Sequence, residues 1–141
     1  MPPAPRSGQR RRAGRRGLHY GLGLSFTKCA QLLGRLGINI TVGAICQSAQ
    51  ATGTDLVPVH TEIVRRVNDA DMVVMDETGW RVGGRSAWLW VATGHDAIAD
   101  NVADGRGFTE ACDLVDEDYD GTIVQDGWAP YRRYTHAAHQ T

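Results

Sequence analysis

From residue 25 the apolar positions recur at helical spacing, and from residue 71 the period changes to that of strands. Phe26, Cys29, Ala30, Leu32, Leu33 and Leu36 predict a helix that Ser25 caps and Gly37 ends. Thr41 caps a second helix carrying Val42, Ala44, Ile45 and Ala49. A third is predicted over 54–70, with Pro58 in its first turn and a stripe of Val59, Ile63, Val64 and Val67. Then "MVVMDET" predicts a short, fully buried strand. "SAWLWVATG" (86–94) predicts a second, joined to the first through the hairpin signal "VGGR". "AIADNVAD" (97–104) is a weaker third strand and "GFTEACDLVDE" (107–117) a helix with Phe108, Ala111, Cys112 and Val115 on one face. "GTIVQDGW" (121–128) is a strand ending on an aspartate, and "PYRRYTHAAHQ" (130–140) a helix opened by Pro130. This order of three strands, a helix, a strand and a helix, behind a helical segment, is an α/β (α+β) pattern. Residues 1–17 are Pro, Gly and Arg without periodicity and are expected to be a disordered arm. The expected organisation is the arm over 1–17, helices over 18–70 and a sheet-bearing core over 71–141.

Charge sharpens this division. Residues 1–20 hold six arginines and no acid, while the other 121 residues hold nine basic groups and all sixteen acids. A basic arm on an acidic body points to a polyanion, with Arg10, Arg11 and Arg12 the densest contact; a plain solvated tail explains the arm equally well. The first two helices and the tight turn between them resemble a helix-turn-helix. The second helix offers Gln47, Ser48 and Gln50 but no Arg or Lys, so ordinary helix packing is the favoured reading. Cys29, Cys46 and Cys112 are scattered with no C-x-x-C pair, which argues against a zinc site and suits a reducing cytoplasm. No stretch approaches the roughly 20 apolar residues of a membrane span. The early arginine pairs resemble an export signal, but Lys28, Gln31 and Arg35 break the segment that follows.

The chemistry lies where two strands end. "VVMDE" and "IVQDG" share one form, an apolar strand delivering an aspartate. On adjacent strands about 4.8 Å apart, Asp76 and Asp126 would project side by side. Two carboxylates that close repel unless a cation lies between them. A hard dication such as magnesium fits, and two such ions can activate a nucleophile and stabilise the leaving oxygen of a phosphodiester. Taken singly, each aspartate is better explained as a turn residue, and "DG" is itself a turn dipeptide. Trp88 and Trp90 share a face and, with Trp80, are expected in the core. His136 and His139 stand at i and i+3 of the last predicted helix without a third ligand and are expected on the surface.

The run "MDETGWRV", "WLWVATG", "GRG" and "GTIVQDGWAPYRRY" resembles the central domain of a bacterial transposase family, insertion-sequence sixty-six. "HYGLGLSFTKCAQLLGRLGINITVGAICQ" is similar to the helical segment ahead of that core. The resemblance covers roughly residues 18–141. It implies an RNase H-like mixed sheet and a DDE mechanism, in which Asp76 and Asp126 are the first two acids and hold Mg2+ or Mn2+ in a two-metal site. Water would cut the transposon end to free a 3′-hydroxyl, which would then attack target DNA. Arg106, Arg132 and Arg133 are the expected phosphate contacts beside the acids, and the expected location is the bacterial cytoplasm with the nucleoid.

The resemblance places the family's third acid, a glutamate on a later helix, beyond Thr141, and the family's separate N-terminal DNA-binding region ahead of this chain. The expectation is therefore an incomplete core, inactive alone. Glu77 is poorly placed to substitute because neighbours on a strand face opposite ways. Glu110, on the helix after the third strand, is the possible third ligand. Without its outer neighbour, the strand over 121–126 is expected to be an exposed edge. The alternative function is non-catalytic: binding DNA through the arm, or binding full-length transposase and inhibiting it.

Overall fold

The computed structural model describes residues 17–141. They divide into two units between Val57 and Pro58. In the first, a π-helical turn at Gly17–Gly21 precedes α1 (Phe26–Arg35). Ser25 caps α1 as expected, accepting from the Lys28 amide at 3.3 Å. At the other end Gly37 takes φ +77, and the amides of Gly37 and Ile38 close on the carbonyls of Gly34 and Leu33. That left-handed turn is one only glycine makes cheaply. Cys29 and Leu33 of α1 are buried with Ile45 of the next helix, so the two helices pack together.

That next helix, α2, is longer than its pattern predicts. Thr41 caps it through the Ala44 amide at 3.1 Å, and it runs unbroken over Val42–Asn68 with Pro58 inside. The second helix, expected to end by residue 51, and the third, expected over 54–70, are one. Nothing between them breaks a helix: the hydroxyls of Thr52 and Thr54 bond back to the carbonyls of Ser48 and Gln50 instead of opening a turn. Pro58 removes one amide donor without ending the helix.

The second unit is a five-stranded mixed sheet, ordered β3-β2-β1-β4-β5. Its strands are β1 (Met72–Val82), β2 (Arg85–Thr93), β3 (Ile98–Ala103), β4 (Thr122–Val124) and β5 (Ala138–Gln140). The first three form an antiparallel meander, and β4 runs parallel to β1 with Val74 opposite Val124. This is an RNase H-like sheet with helices ahead of it, as the resemblance implies. Gly83 and Gly84 turn the β1–β2 hairpin with φ +57 and +84, the two positive angles a tight two-residue turn needs.

One face of the sheet is built of large residues beside small ones. Trp88 lies between Gly79 and Ala103, and Ala92 between Met75 and Ala99. Val67 of α2 joins Val73, Met75, Trp90, Ala92 and Ile123 in this core, with Ile63 and Val64 packed against it. The other face keeps Met72, Val74, Ile98 and Val102 exposed.

Three expectations are corrected after β3. The helix expected over 107–117 is one turn, α3 (Phe108–Ala111). The chain then follows an irregular path that buries Leu114, Val115 and Tyr119. The helix expected over 130–140 is a 3-10 turn at Ala129–Arg133 followed by β5. The strand 121–126 is therefore no edge, because β5 covers β4 in parallel. His136 and His139 do not share a helix face, and the His139 ring bonds the Tyr134 carbonyl at 3.0 Å. Expected arm residues 1–16 lie outside the described residues.

The irregular path is held by side chains reaching backbone. Asn68 donates to the Leu114 carbonyl at 2.9 Å and accepts from the Asp116 amide at 2.8 Å. Tyr119 and Tyr134 donate to the carbonyls of Ala70 and Val115. Replacing Asn68 by Leu strands both partners it serves. Denaturant unfolding should show a loss of about 1–2 kcal/mol, and an unchanged midpoint would mean the path holds without it.

Candidate active site

β1 carries Asp76 and Glu77 side by side, and the pleat sends them to opposite faces. Glu77 follows Val73 and Met75 on the buried face, while Asp76 follows Val74 on the exposed one. Parallel pairing aligns Val74 with Val124, the last residue of β4. Two residues further on, Asp76 and Asp126 are the next positions of that same parity. Beyond Val124 the strands part: β1 continues beside β2, with Asp76 opposite Val91, and β4 leaves the sheet.

The parting is a turn written into "QDGW". Asp126 Oδ1 accepts from the Trp128 amide at 2.9 Å, Gln125 Oε1 accepts from the Gly127 amide, and Gly127 takes φ +88. Asp126 thus makes the turn its dipeptide predicts, and does so with one oxygen. Asp76 uses its Oδ1 on the Glu77 amide at 2.9 Å. Two exposed carboxylates, if brought together, would suit a hard cation that keeps part of its water shell. Among the described residues no group of three or more His, Cys, Asp or Glu side chains could hold a metal.

Behind this pair lies a buried network. The Glu77 side chain is 0% exposed. Arg106 reaches its Oε1 with Nε at 2.8 Å and Nη2 at 2.6 Å, and the Tyr131 hydroxyl donates to its Oε2. The Arg106 guanidinium is sandwiched between Trp88 at 4.7 Å and Trp128 at 4.1 Å. Trp90 donates to the Gly105 carbonyl at 3.2 Å and meets the Tyr131 ring edge-on. Removing one partner of so buried a pair costs about 3–5 kcal/mol. The exposed ion pairs of Glu62 with Arg65 and Arg66 are of the kind that contributes little.

Burial, foremost, holds the Tyr131 phenol far above its ordinary range. The hydrogen bond to Glu77 adds to this, as do the charges of Glu77, Asp126 and Asp76. Tyr134 and Tyr119 are also raised, chiefly by burial.

Residues 16–141 match the family described as Transposase IS66 family. The chain belongs to the IS66 transposase family. No curated protein and no solved structure matches it. Membership points to a transposition-related function; for the family in general it implies DNA substrates and the use of a divalent metal. Among the described residues no helix is long and apolar enough to cross a membrane.

The other residues singled out from the sequence of this IS66 chain fall as follows. Glu110 closes the start of α3, its Oε2 accepting from the Gly107 amide at 2.9 Å. Arg106 does not stand free beside the acids; it is turned onto Glu77. Arg132 and Arg133 are exposed, with Arg133 4.3 Å over the Phe108 ring. Arg10, Arg11 and Arg12 lie outside the described residues. The pattern reading missed Glu77 and Tyr131. The signal was present: Glu77 is in phase with Val73 and Met75, and an acid on a buried face demands a partner.

The raised phenols fix a pH dependence. Below the unfolded value of about 10, folded and unfolded chains both hold these protons, and stability is unaffected by them. Above it the unfolded chain releases protons that the folded chain keeps, so stability falls as pH rises. Urea midpoints should drop from about pH 10 upward. Phenolate absorbance from three of the four tyrosines should appear together with unfolding. Ionisation of all four in a chain still folded by circular dichroism would contradict this.

Proposed function

We propose that this chain supplies the first two acids, Asp76 and Asp126, of a metal-dependent core for DNA cleavage and strand transfer in transposition. The observation that carries the proposal is their common parity at the point where β1 and β4 part, in a chain of the IS66 family. Because β1 and β4 run parallel up to Val74 and Val124, the residues two further along each, Asp76 and Asp126, are expected to arrive together. Bound there, Mg2+ or Mn2+ would stabilise charge on the phosphodiester and activate water. The chain's own part is to hold two carboxylate ligands at fixed separation and to hold the DNA. Exposed Arg132 and Arg133, soon after Asp126 in the chain, suit phosphates of transposon ends or target DNA. Glu110 stays outside the proposed set because its carboxylate already caps α3.

Two carboxylates hold such ions weakly, so DNA cleavage by this chain alone is expected to be below detection. Mn2+ binding, followed by electron paramagnetic resonance, tests the pair directly. Weak binding should be present in the wild-type chain and lost in both Asp76→Asn and Asp126→Asn. Binding that survives both substitutions would sink the reading. Magnesium-dependent cleavage of transposon-end DNA, abolished by Asp76→Asn, would show the chain's own ligand set to be sufficient and overturn the expected inactivity.

A further inference from the structure

Asp76 and Asp126 are not held alike. Asp76 sits within β1, paired across to Val91 of β2. Asp126 lies past the last residue of β4, in a turn with no ladder on either side. The sheet reaches as far as the Gln125 amide, which donates to the Gln140 carbonyl of β5 at 3.0 Å; beyond it, other contacts must fix that turn against β1. The next residue but one, Trp128, is stacked on Arg106 at 4.1 Å, and Arg106 is bound to Glu77 on β1. Three residues beyond, Tyr131 is fully buried and donates to that same carboxylate. Glu77 is the immediate neighbour of Asp76. The chain after Asp126 is thus tied twice to the residue after Asp76.

We propose that Arg106 is a positioning residue: stacked on Trp128 and paired with buried Glu77, it fixes the turn carrying Asp126 at the separation from Asp76 that shared ligation needs. This rests on the aspartate-pair reading above. Arg106 touches neither carboxylate and acts through Trp128 and Glu77. Arginine suits the role because a planar guanidinium stacks on two rings while its edge meets a carboxylate. A lysine in its place keeps the charge and loses the stack.

The test uses the whole chain and two readouts. Hydrogen exchange without metal reports on the clamp, through the amides of Gly127, Trp128 and Tyr131. Mn2+ affinity reports on the pair. In Arg106→Met, exchange at those amides should rise while β1 and β2 amides stay protected. Mn2+ affinity should fall about 10-fold, the range typical of groups that orient a ligand. Arg106→Lys should lie between wild type and Arg106→Met, and decides the matter if Arg106→Met does not fold. Asn68→Leu is the control for lost stability alone and should leave both readouts unchanged. Unchanged exchange at 127–131, or wild-type Mn2+ affinity in the folded Arg106 variants, would overturn the proposal. So would an equal loss of affinity in Asn68→Leu. Wild-type Mn2+ binding that is indifferent to Asp76→Asn and Asp126→Asn would instead remove the aspartate pair, and this inference with it. The exchange pattern would still report separately whether Arg106 holds the turn.

Discussion

A carboxylate with no exposed surface has to be satisfied or the strand carrying it will not stay where it is. Glu77 is that group, and Arg106 and Tyr131 satisfy it. Its consequence reaches further than its own stability. β1 carries two adjacent acids, and a slip of one residue would exchange their faces. Asp76 would then be buried, with a side chain one methylene shorter, and Glu77 would face solvent. Only one register offers the buried acid a guanidinium and a phenol. A buried ion pair gives little net stability against an apolar replacement, but it discriminates strongly against arrangements that leave one charge alone. Here the discrimination decides which acid of "DE" faces out.

The sheet order does the rest. A parallel β1–β4 pair needs a long crossover between its strands, and this chain fills it with the β2–β3 meander, α3 and the irregular path to Thr122. That path has little regular structure to hold it. Asn68, Tyr119 and Tyr134 supply the missing bonds to backbone groups that would otherwise be buried without partners. The long crossover is what lets β1 and β4 run parallel. Antiparallel strands in its place would carry the two aspartates to opposite ends of the sheet.

Much of this was legible from local pattern. Ser25 and Thr41 cap helices as their positions suggest, and "VGGR" turns the hairpin through its two glycines. The likeness of "VVMDE" to "IVQDG" was enough to place both strands side by side. The failures have a common cause in tertiary contacts that local pattern does not contain. In "PYRRYTHAAHQ", Pro130 and the tyrosines at i and i+3 fit a helix or a 3-10 turn equally. Burial of both rings, with hydroxyls on Glu77 and the Val115 carbonyl, settles it, and β4 then offers a free edge to Ala138–Gln140. Arg106 looked like a free cation because its partner is 29 residues away in sequence.

The unequal support of the two aspartates is the deepest consequence of this architecture. A ladder fixes a residue through bonds repeated along its length, and disturbing it means opening neighbours as well. A turn stacked on a guanidinium is fixed by a few contacts and opens locally at far smaller cost. Of the two proposed ligands, one is therefore held by the ladder and the other by the contacts around its turn, the Arg106–Trp128 stack and the Tyr131–Glu77 bond among them. On the proposal above, the separation of the carboxylates depends on those contacts as well as on the sheet. Substitutions around Trp88, Arg106 and Trp128 should therefore act on the proposed pair without touching either aspartate.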